Sequence, residues 1–103
     1  MGDSRAALRD FPKEARYLIG AGLRKVQHGE EPANWRPLPT VGMGVNEIRV
    51  RLDKAYRVVY VAKFPEAVYV LHAFGKTESK TPKAEIELAA RRYRELLNKR
   101  RTP

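Results

Sequence analysis

The sequence contains no cysteine, which excludes disulfide bonds, cysteine nucleophiles and thiolate metal sites. No apolar run approaches the roughly 18 residues that span a bilayer, and the opening segment MGDSRAALRD lacks the apolar core of a signal peptide. The two histidines, His28 and His72, lack the paired spacing of a zinc site, and there is no Gly-rich phosphate loop. We therefore predict a cytoplasmic protein with no metal, no cofactor and no membrane partner.

Acidic residues are in the minority. The 103 residues include 21 Lys and Arg against 12 Asp and Glu, which gives a net charge of +9 and a pI of about 10.2. The length predicts a single domain over residues 1–103. Because the basic residues are spread along the whole chain, we expect a polyanionic partner, with nucleic acid as the first candidate.

The N-terminal third predicts a helical hairpin. Ser4–Asp10 reads as a short helical turn with Ser4 as its N-cap, and a second helix starts at Pro12. Apolar residues recur at helical offsets from Ala15 to Val26, and Gly29 follows the helix end.

Glu30–Gly44 is predicted to be an irregular connection, since it contains three prolines and two glycines. Trp35 and Leu38 are interpreted as anchors that pack this connection onto the core, in preference to a base-stacking role for Trp35.

Three strands and a long helix follow. Val45–Leu52 alternates apolar and charged residues, whereas Ala55–Phe64 and Ala67–Phe74 are more continuously apolar. The short turns between them predict an antiparallel meander. A basic loop, Gly75–Thr81, then leads to an amphipathic helix from Pro82. The predicted fold is α+β: an N-terminal helical hairpin on a small antiparallel sheet, followed by a C-terminal helix.

Basic side chains are predicted to converge on one side of this sheet. Arg49 and Arg51 are two residues apart and share a face of their strand, and Arg57 begins the next strand. Lys76 and Lys80 lie in the loop after the third strand. Such a cluster binds phosphates and stabilises the extra negative charge of a pentacovalent phosphoryl transition state without a metal.

Two residues are candidates for proton transfer during cleavage of RNA by its own 2′-OH. Glu47 shares the face of Arg49, and His72 titrates near neutral pH. Each residue also has a purely structural interpretation. Glu47 would then be half of a surface ion pair, and His72 would be a core histidine.

The chain resembles the RelE/ParE toxin superfamily of bacterial toxin–antitoxin systems, and it is most similar to the phage-derived, Gp49-like, HigB-type branch. The matching segments run in the family's order: FPKEAR, LRKVQHGEEPANWRPLP, GVNEIRVR, AYRVVYVAKF and YVLHAFGKTESKTPKAEIELAARRY. Relatives commonly carry a short strand upstream of the first helical segment, so we expect either a missing edge strand or a truncated N-terminus.

This resemblance implies a helical hairpin, an antiparallel sheet and a C-terminal helix. It also implies a metal-independent endoribonuclease that cleaves mRNA on the ribosome, and a helix-turn-helix antitoxin that neutralises it. The family's basic positions match Arg49 and Arg57 on the strands. Its basic loop matches Lys76 and Lys80.

The resulting hypothesis is a ribosome-dependent endoribonuclease toxin that inhibits translation. We assign catalytic roles to Arg49, Arg57, Lys76, Glu47 and His72. We assign RNA binding to Arg51, Lys80 and Lys83. Two alternatives stay open: a non-nuclease member of the superfamily, either gyrase-inhibiting or inactive, and a simple nucleic-acid-binding module. The exposed edge of the first predicted strand leaves dimerisation open.

Overall fold

A computed structural model describes residues 8–64, 66–76 and 83–101. Within these ranges and from Lys13 onward, a helix is followed by four strands and a second helix. Their bounds are α1 Lys13–Gln27, β1 Trp35–Pro37, β2 Val45–Arg51, β3 Ala55–Val61, β4 Tyr69–Lys76 and α2 Lys83–Arg101. The predicted α+β architecture is confirmed. Leu8 and Arg9 are helical and Asp10 lies in a turn, while residues 4–7 of the predicted first helical turn lie outside the described residues.

The strands form one antiparallel sheet in the order β1-β2-β3-β4, which is the predicted meander with one strand added. The addition is β1, which lies inside the connection predicted to be irregular, so that prediction is wrong for Trp35–Pro37. Pro37 is tolerated because β1 is an edge strand, where the missing N–H removes no bond from a second neighbour. β1 pairs with Asn46–Ile48 and covers that part of the edge of β2.

The two helices pack on opposite faces of the sheet. Val58 of β3 faces α1 in a cluster with Ala15 and Ile19. Its neighbour Val59 belongs to the other cluster, with Ala89, Tyr93 and Leu96 of α2. Because side chains alternate along a strand, β3 is covered on both sides, and all seven of its residues are buried.

Each helix covers only part of its face. α1 lies against β2, whereas α2 lies against β4. On the face of the sheet that carries α2, the helix therefore covers β4 and leaves β2 and β1 uncovered. This uncovered half of the sheet carries the charged residues of β2.

β4 extends further than predicted. Gly75 and Lys76 belong to the strand, opposite Tyr56 and Ala55, so the prediction that both lie in a loop is wrong. Gly75 packs tightly here: a β-carbon on it would lie 3.3 Å from the ring of Tyr56. The missing side chain lets the strand run close to its neighbour.

Neither helix in the described part of the chain is long and apolar enough to cross a membrane. Leu38, one of the two predicted anchors, is buried in the core on the α2 side. Trp35, the other, is 37% exposed, so its predicted role as a core anchor is wrong.

Candidate functional site

The predicted site residues of the strands lie on one face of the sheet, in three successive rows. Each row crosses β2, β3 and β4 in hydrogen-bonding register, and the rows are Glu47–Val59–His72, Arg49–Arg57–Phe74 and Arg51–Ala55–Lys76. Since neighbouring strands are about 4.8 Å apart, Arg49 and Arg57 are adjacent, whereas Glu47 and His72 are separated by roughly twice that distance.

β1 adds a fourth arginine to this face. Arg36 is opposite Glu47 in the register, and its Nε donates a hydrogen bond to Glu47 Oε1 at 3.1 Å. A guanidinium nitrogen of Arg49 lies 3.7 Å from the same oxygen. The Glu47 side chain is 1% exposed, while those of Arg36 and Arg49 are 46% and 29% exposed. Glu47 therefore holds two half-exposed arginines in place from a buried position, and it is not the surface ion pair considered above.

Arg57 is fully buried in the middle of the sheet. Burial lowers the pKa of its guanidinium, and the positive charges of Arg49, Arg36 and Arg51 lower this pKa further, while Glu47 opposes them by raising it. A buried cation surrounded by other cations is electrostatically unfavourable. The environment of Arg57 thus favours an incoming negative charge.

Arg36, Glu47, Arg49 and Arg51 line a cleft of about 340 Å³ together with Asn34 and Trp35. We call this the arginine cleft, and Arg57 lies beside it on β3. Four guanidinium groups face one carboxylate, a formal surplus of three positive charges. Guanidinium groups match phosphate oxygens in planar, two-pronged hydrogen bonds. The arginine cleft is therefore suited to bind a phosphate or a phosphodiester.

His72 shares the face of the arginine cleft but is engaged with α2. Its Nε2 lies 2.7 Å from Glu85 Oε2, and its Nδ1 lies 3.1 Å from a guanidinium nitrogen of Arg92. Arginine only donates, so Nδ1 accepts and the proton on Nε2 is donated to Glu85. Arg92 also donates to the carbonyl oxygen of Leu71 at 3.0 Å. These contacts tie β4 to α2 through a neutral imidazole.

This arrangement makes stability depend on pH. Burial lowers the pKa of His72 below its ordinary value of 6.5; Arg92 lowers it further, while Glu85 opposes both effects. As pH falls through about 6.5, the unfolded chain binds a proton that the folded protein does not, so the free energy of unfolding decreases until the folded pKa is reached. We expect urea unfolding of the wild type to show this loss between pH 7.5 and 5.5.

His72→Gln keeps a donor and an acceptor but does not titrate, so it should show a smaller loss over the same interval. His28→Gln, which removes an exposed imidazole at the end of α1, is the matched control and should behave as the wild type. Equal pH dependence in His72→Gln and the wild type would show that His72 is not the source of the pH-dependent loss of stability.

The remaining predicted residues lie at the start of α2 or before it. Lys76 shares a row with Arg51 through its strand position. Lys80 lies outside the described residues. Lys83 is exposed at the start of α2, with its Nζ 3.9 Å from Glu87. Within the described ranges, no three His, Asp or Glu side chains lie close enough together to hold a metal ion.

Arg36 is the charged residue of the cleft that the sequence did not indicate. It lies between Trp35 and Pro37 in a strand of three residues, which is too short to show an alternating pattern. Glu85 and Arg92 were also missed as partners of His72. Their spacing of seven residues, which places them on one side of a helix with Ala89 between them, was the available signal.

Comparison with known proteins gives one positive result. A search of curated proteins found no match. Residues 6–94 match the family model described as "Phage derived protein Gp49-like (DUF891)". The match includes α1, the four strands and residues 83–94 of α2, and with them each residue of the arginine cleft. The chain therefore belongs to the Gp49-like family of phage-derived proteins.

Proposed function

We propose that this protein is the toxin of a type II toxin–antitoxin system and that it inhibits translation by cleaving mRNA on the ribosome. The observation that carries the proposal is the burial of Arg57 beside a cleft with a surplus of two positive charges. A small protein gains little stability from such a cluster, because desolvation and mutual repulsion oppose it. A phosphodiester in the cleft would relieve the repulsion.

The chemistry proposed for the cleft is attack of an RNA 2′-oxygen on its adjacent phosphorus. The new O2′–P bond forms as the P–O5′ bond breaks, which leaves a cyclic phosphate and a free 5′-hydroxyl. Arg49 and Arg57 would bind the phosphate oxygens and stabilise the extra negative charge of the pentacovalent transition state. Arg51 would bind a flanking phosphate, with Lys80 and Lys83 as further contacts to the RNA backbone.

Proton transfer in this scheme needs an acceptor for the 2′-OH and a donor for the 5′-oxygen. Glu47 is the candidate acceptor, since its carboxylate lies within the cleft. Lys76 is the candidate donor, because it occupies the same face as Arg57, one row along. His72 is the reserve candidate. Its ring nitrogens are already engaged by Glu85 and Arg92, which favours a structural role.

Neutralisation would come from a cognate antitoxin, proposed to be a helix-turn-helix protein. An acidic segment of that protein would cover the arginine cleft and compete with RNA for the half-exposed Arg36 and Arg49. Opposite charges across such a contact speed association and give specificity. The site of action would be the cytoplasm, where the ribosome and mRNA are found.

Induced expression in a bacterium without the antitoxin should arrest growth within one generation and create new 5′ ends in many mRNAs. Mapping these ends gives the direct measurement. Purified ribosomes carrying an mRNA should support cleavage, while the same mRNA alone should stay intact. Arg49→Gln, which removes one phosphate ligand, is the inactive control. Harmless expression with unbroken mRNA would count decisively against this function.

A second candidate is a nucleic-acid-binding module that does not cleave. The observation in its favour is that the carboxylate of Glu47 is already bound by Arg36 and lies near Arg49, so it is not freely available as a proton acceptor. This candidate predicts salt-dependent RNA binding with intact mRNA. A gyrase-inhibiting relative would instead change DNA supercoiling after expression.

A further inference from the structure

Trp35 is the single tryptophan of the chain, and it is not in the core. It is 37% exposed, whereas the aromatic residues Phe11, Tyr56, Tyr60 and Tyr93 are all buried. Tryptophan is highly buried on average because of its large apolar surface. An exposed indole that a strand holds in place is therefore a candidate contact for a ligand.

The backbone places Trp35 at the edge of the sheet, beside the arginine cleft. Trp35 is opposite Ile48, and the next residue, Arg36, is opposite Glu47. Because successive side chains of a strand leave it on opposite faces, Trp35 lines the cleft from the sheet edge. The preceding residue, Asn34, has a positive φ of 54°, and its carbonyl oxygen accepts a hydrogen bond from the backbone N–H of Arg49 at 3.0 Å. Indole and guanidinium groups are thus held by one short hairpin, and little ordering is needed when a ligand binds both.

Trp35 separates two depressions of opposite charge. On one side it lines the arginine cleft with Arg36 and Arg49. On the other it lines a depression of about 280 Å³ that also contains Glu30, Glu31 and Asn46. The arginines attract a phosphate, whereas the two glutamates repel one. A nucleotide that crosses Trp35 would therefore place its phosphate on the arginine side and its uncharged base against the indole.

We propose that Trp35 is a stacking platform for an unpaired RNA base next to the phosphate bound by the arginine cleft. The inference rests on the proposed function only in taking RNA as the ligand. Single-stranded RNA is commonly bound by aromatic side chains that stack on bases beside basic residues that bind the backbone. Arg36, adjacent to Trp35 in the chain, supplies the basic residue nearest to the platform.

The single tryptophan allows a direct test with the full-length protein. One probe is a 2′-O-methyl adenosine hexamer, which has no free 2′-OH and so cannot be cleaved by the proposed reaction. The second probe is an abasic hexamer with the same backbone charge. Both should bind through phosphates with similar salt dependence, but only the hexamer with bases should quench the fluorescence of Trp35.

Substitution supplies the second measurement. Truncation of a stacking aromatic costs roughly 1–3 kcal/mol per base, so Trp35→Ala should weaken binding of the adenosine hexamer by about 5- to 150-fold. Trp35→Phe keeps a ring and should stay within about threefold of the wild type. The slope of affinity against salt should be unchanged in Trp35→Ala, whereas Arg36→Gln should lower it by about one. Tyr17→Ala removes an aromatic residue that is 69% exposed on α1 and is the matched control with unchanged binding.

Each result has a defined meaning. Equal quenching by the two hexamers, or unchanged affinity in a folded Trp35→Ala protein, would overturn the platform even if mRNA cleavage in cells is observed. Absence of binding by either hexamer would overturn the RNA premise itself. Quenching by the adenosine hexamer without any cleavage on ribosomes would support the platform and refute only the nuclease.

Discussion

Replacing Arg57 with methionine is expected to abolish mRNA cleavage while changing the stability of the fold only slightly. The loss of activity should reach about 100- to 1,000-fold, the size expected when one preorganised group that stabilises a developing anion is removed. The free energy of unfolding should change little, because the desolvation of Arg57 and its repulsion by the other arginines oppose its attraction to Glu47. Loss of function should therefore not be accompanied by loss of the fold.

The physical reason lies in the surroundings of Arg57. Its side chain is fully buried, and the charges of Arg36, Arg49 and Arg51 act against its own charge. Removing Arg57 does not leave Glu47 unneutralised, since Arg36 still donates to it at 3.1 Å. The methionine variant thus loses both the repulsion from the arginines and the attraction of Glu47, and it leaves no unneutralised buried charge.

Cleavage on purified ribosomes and urea unfolding measure the two effects. Arg94→Met, on an exposed part of α2, removes the same charge away from the cleft and serves as the matched control for both. Retained cleavage in Arg57→Met would remove Arg57 from the catalytic proposal. A variant that fails to fold would show that Arg57 is a structural residue.

Glu47→Gln should have the largest effect on stability, with a loss of about 2–4 kcal/mol. The change keeps the shape of the side chain but leaves four arginines without their carboxylate, and an uncompensated buried charge is strongly destabilising. For a domain of this size, the loss corresponds to a fall in melting temperature of roughly 10–25 °C. The measurement is thermal unfolding at low ionic strength.

Anions should reverse much of this loss. Sulfate or phosphate that binds the folded cleft stabilises it by mass action, so the difference between Glu47→Gln and the wild type should shrink as sulfate is added. Glu87→Gln is the control. Its carboxylate is exposed and forms a long ion pair of 3.9 Å with Lys83, and exposed ion pairs contribute little to stability. Equal melting temperatures for Glu47→Gln and the wild type at low salt would contradict the proposed role of Glu47.

The sequence predicts the central part of the sheet well. Alternation in β2 correctly placed Glu47, Arg49 and Arg51 on one face, because a period of two is set by backbone geometry alone. The more continuous apolar run of β3 correctly indicated an inner strand of the sheet. Arg57 is the one charged residue near the start of that run, and this was the signal that marked it as a candidate site residue.

The remaining features depend on contacts between segments that no local pattern encodes. β1 is too short to show a period, and its pairing with β2 is what brings Arg36 to Glu47. Trp35 was predicted to be buried from the average behaviour of tryptophan, whereas its position on an edge strand exposes it. The position of His72 depends on the rotation of α2, which presents Glu85 and Arg92 to β4.

The strand order has a consequence for how fast the cleft is assembled. Every strand pairs with its neighbour in the sequence, and the residues from Arg36 to Arg57 come from one continuous segment. Chains dominated by contacts of short sequence separation fold faster than those with distant pairings, since little loop entropy is lost before each contact forms. We therefore expect the anion-binding hairpins to form early in folding, before α2 packs on the sheet. A partner that recognises only the arginine cleft would then find its target before folding of the whole domain is complete.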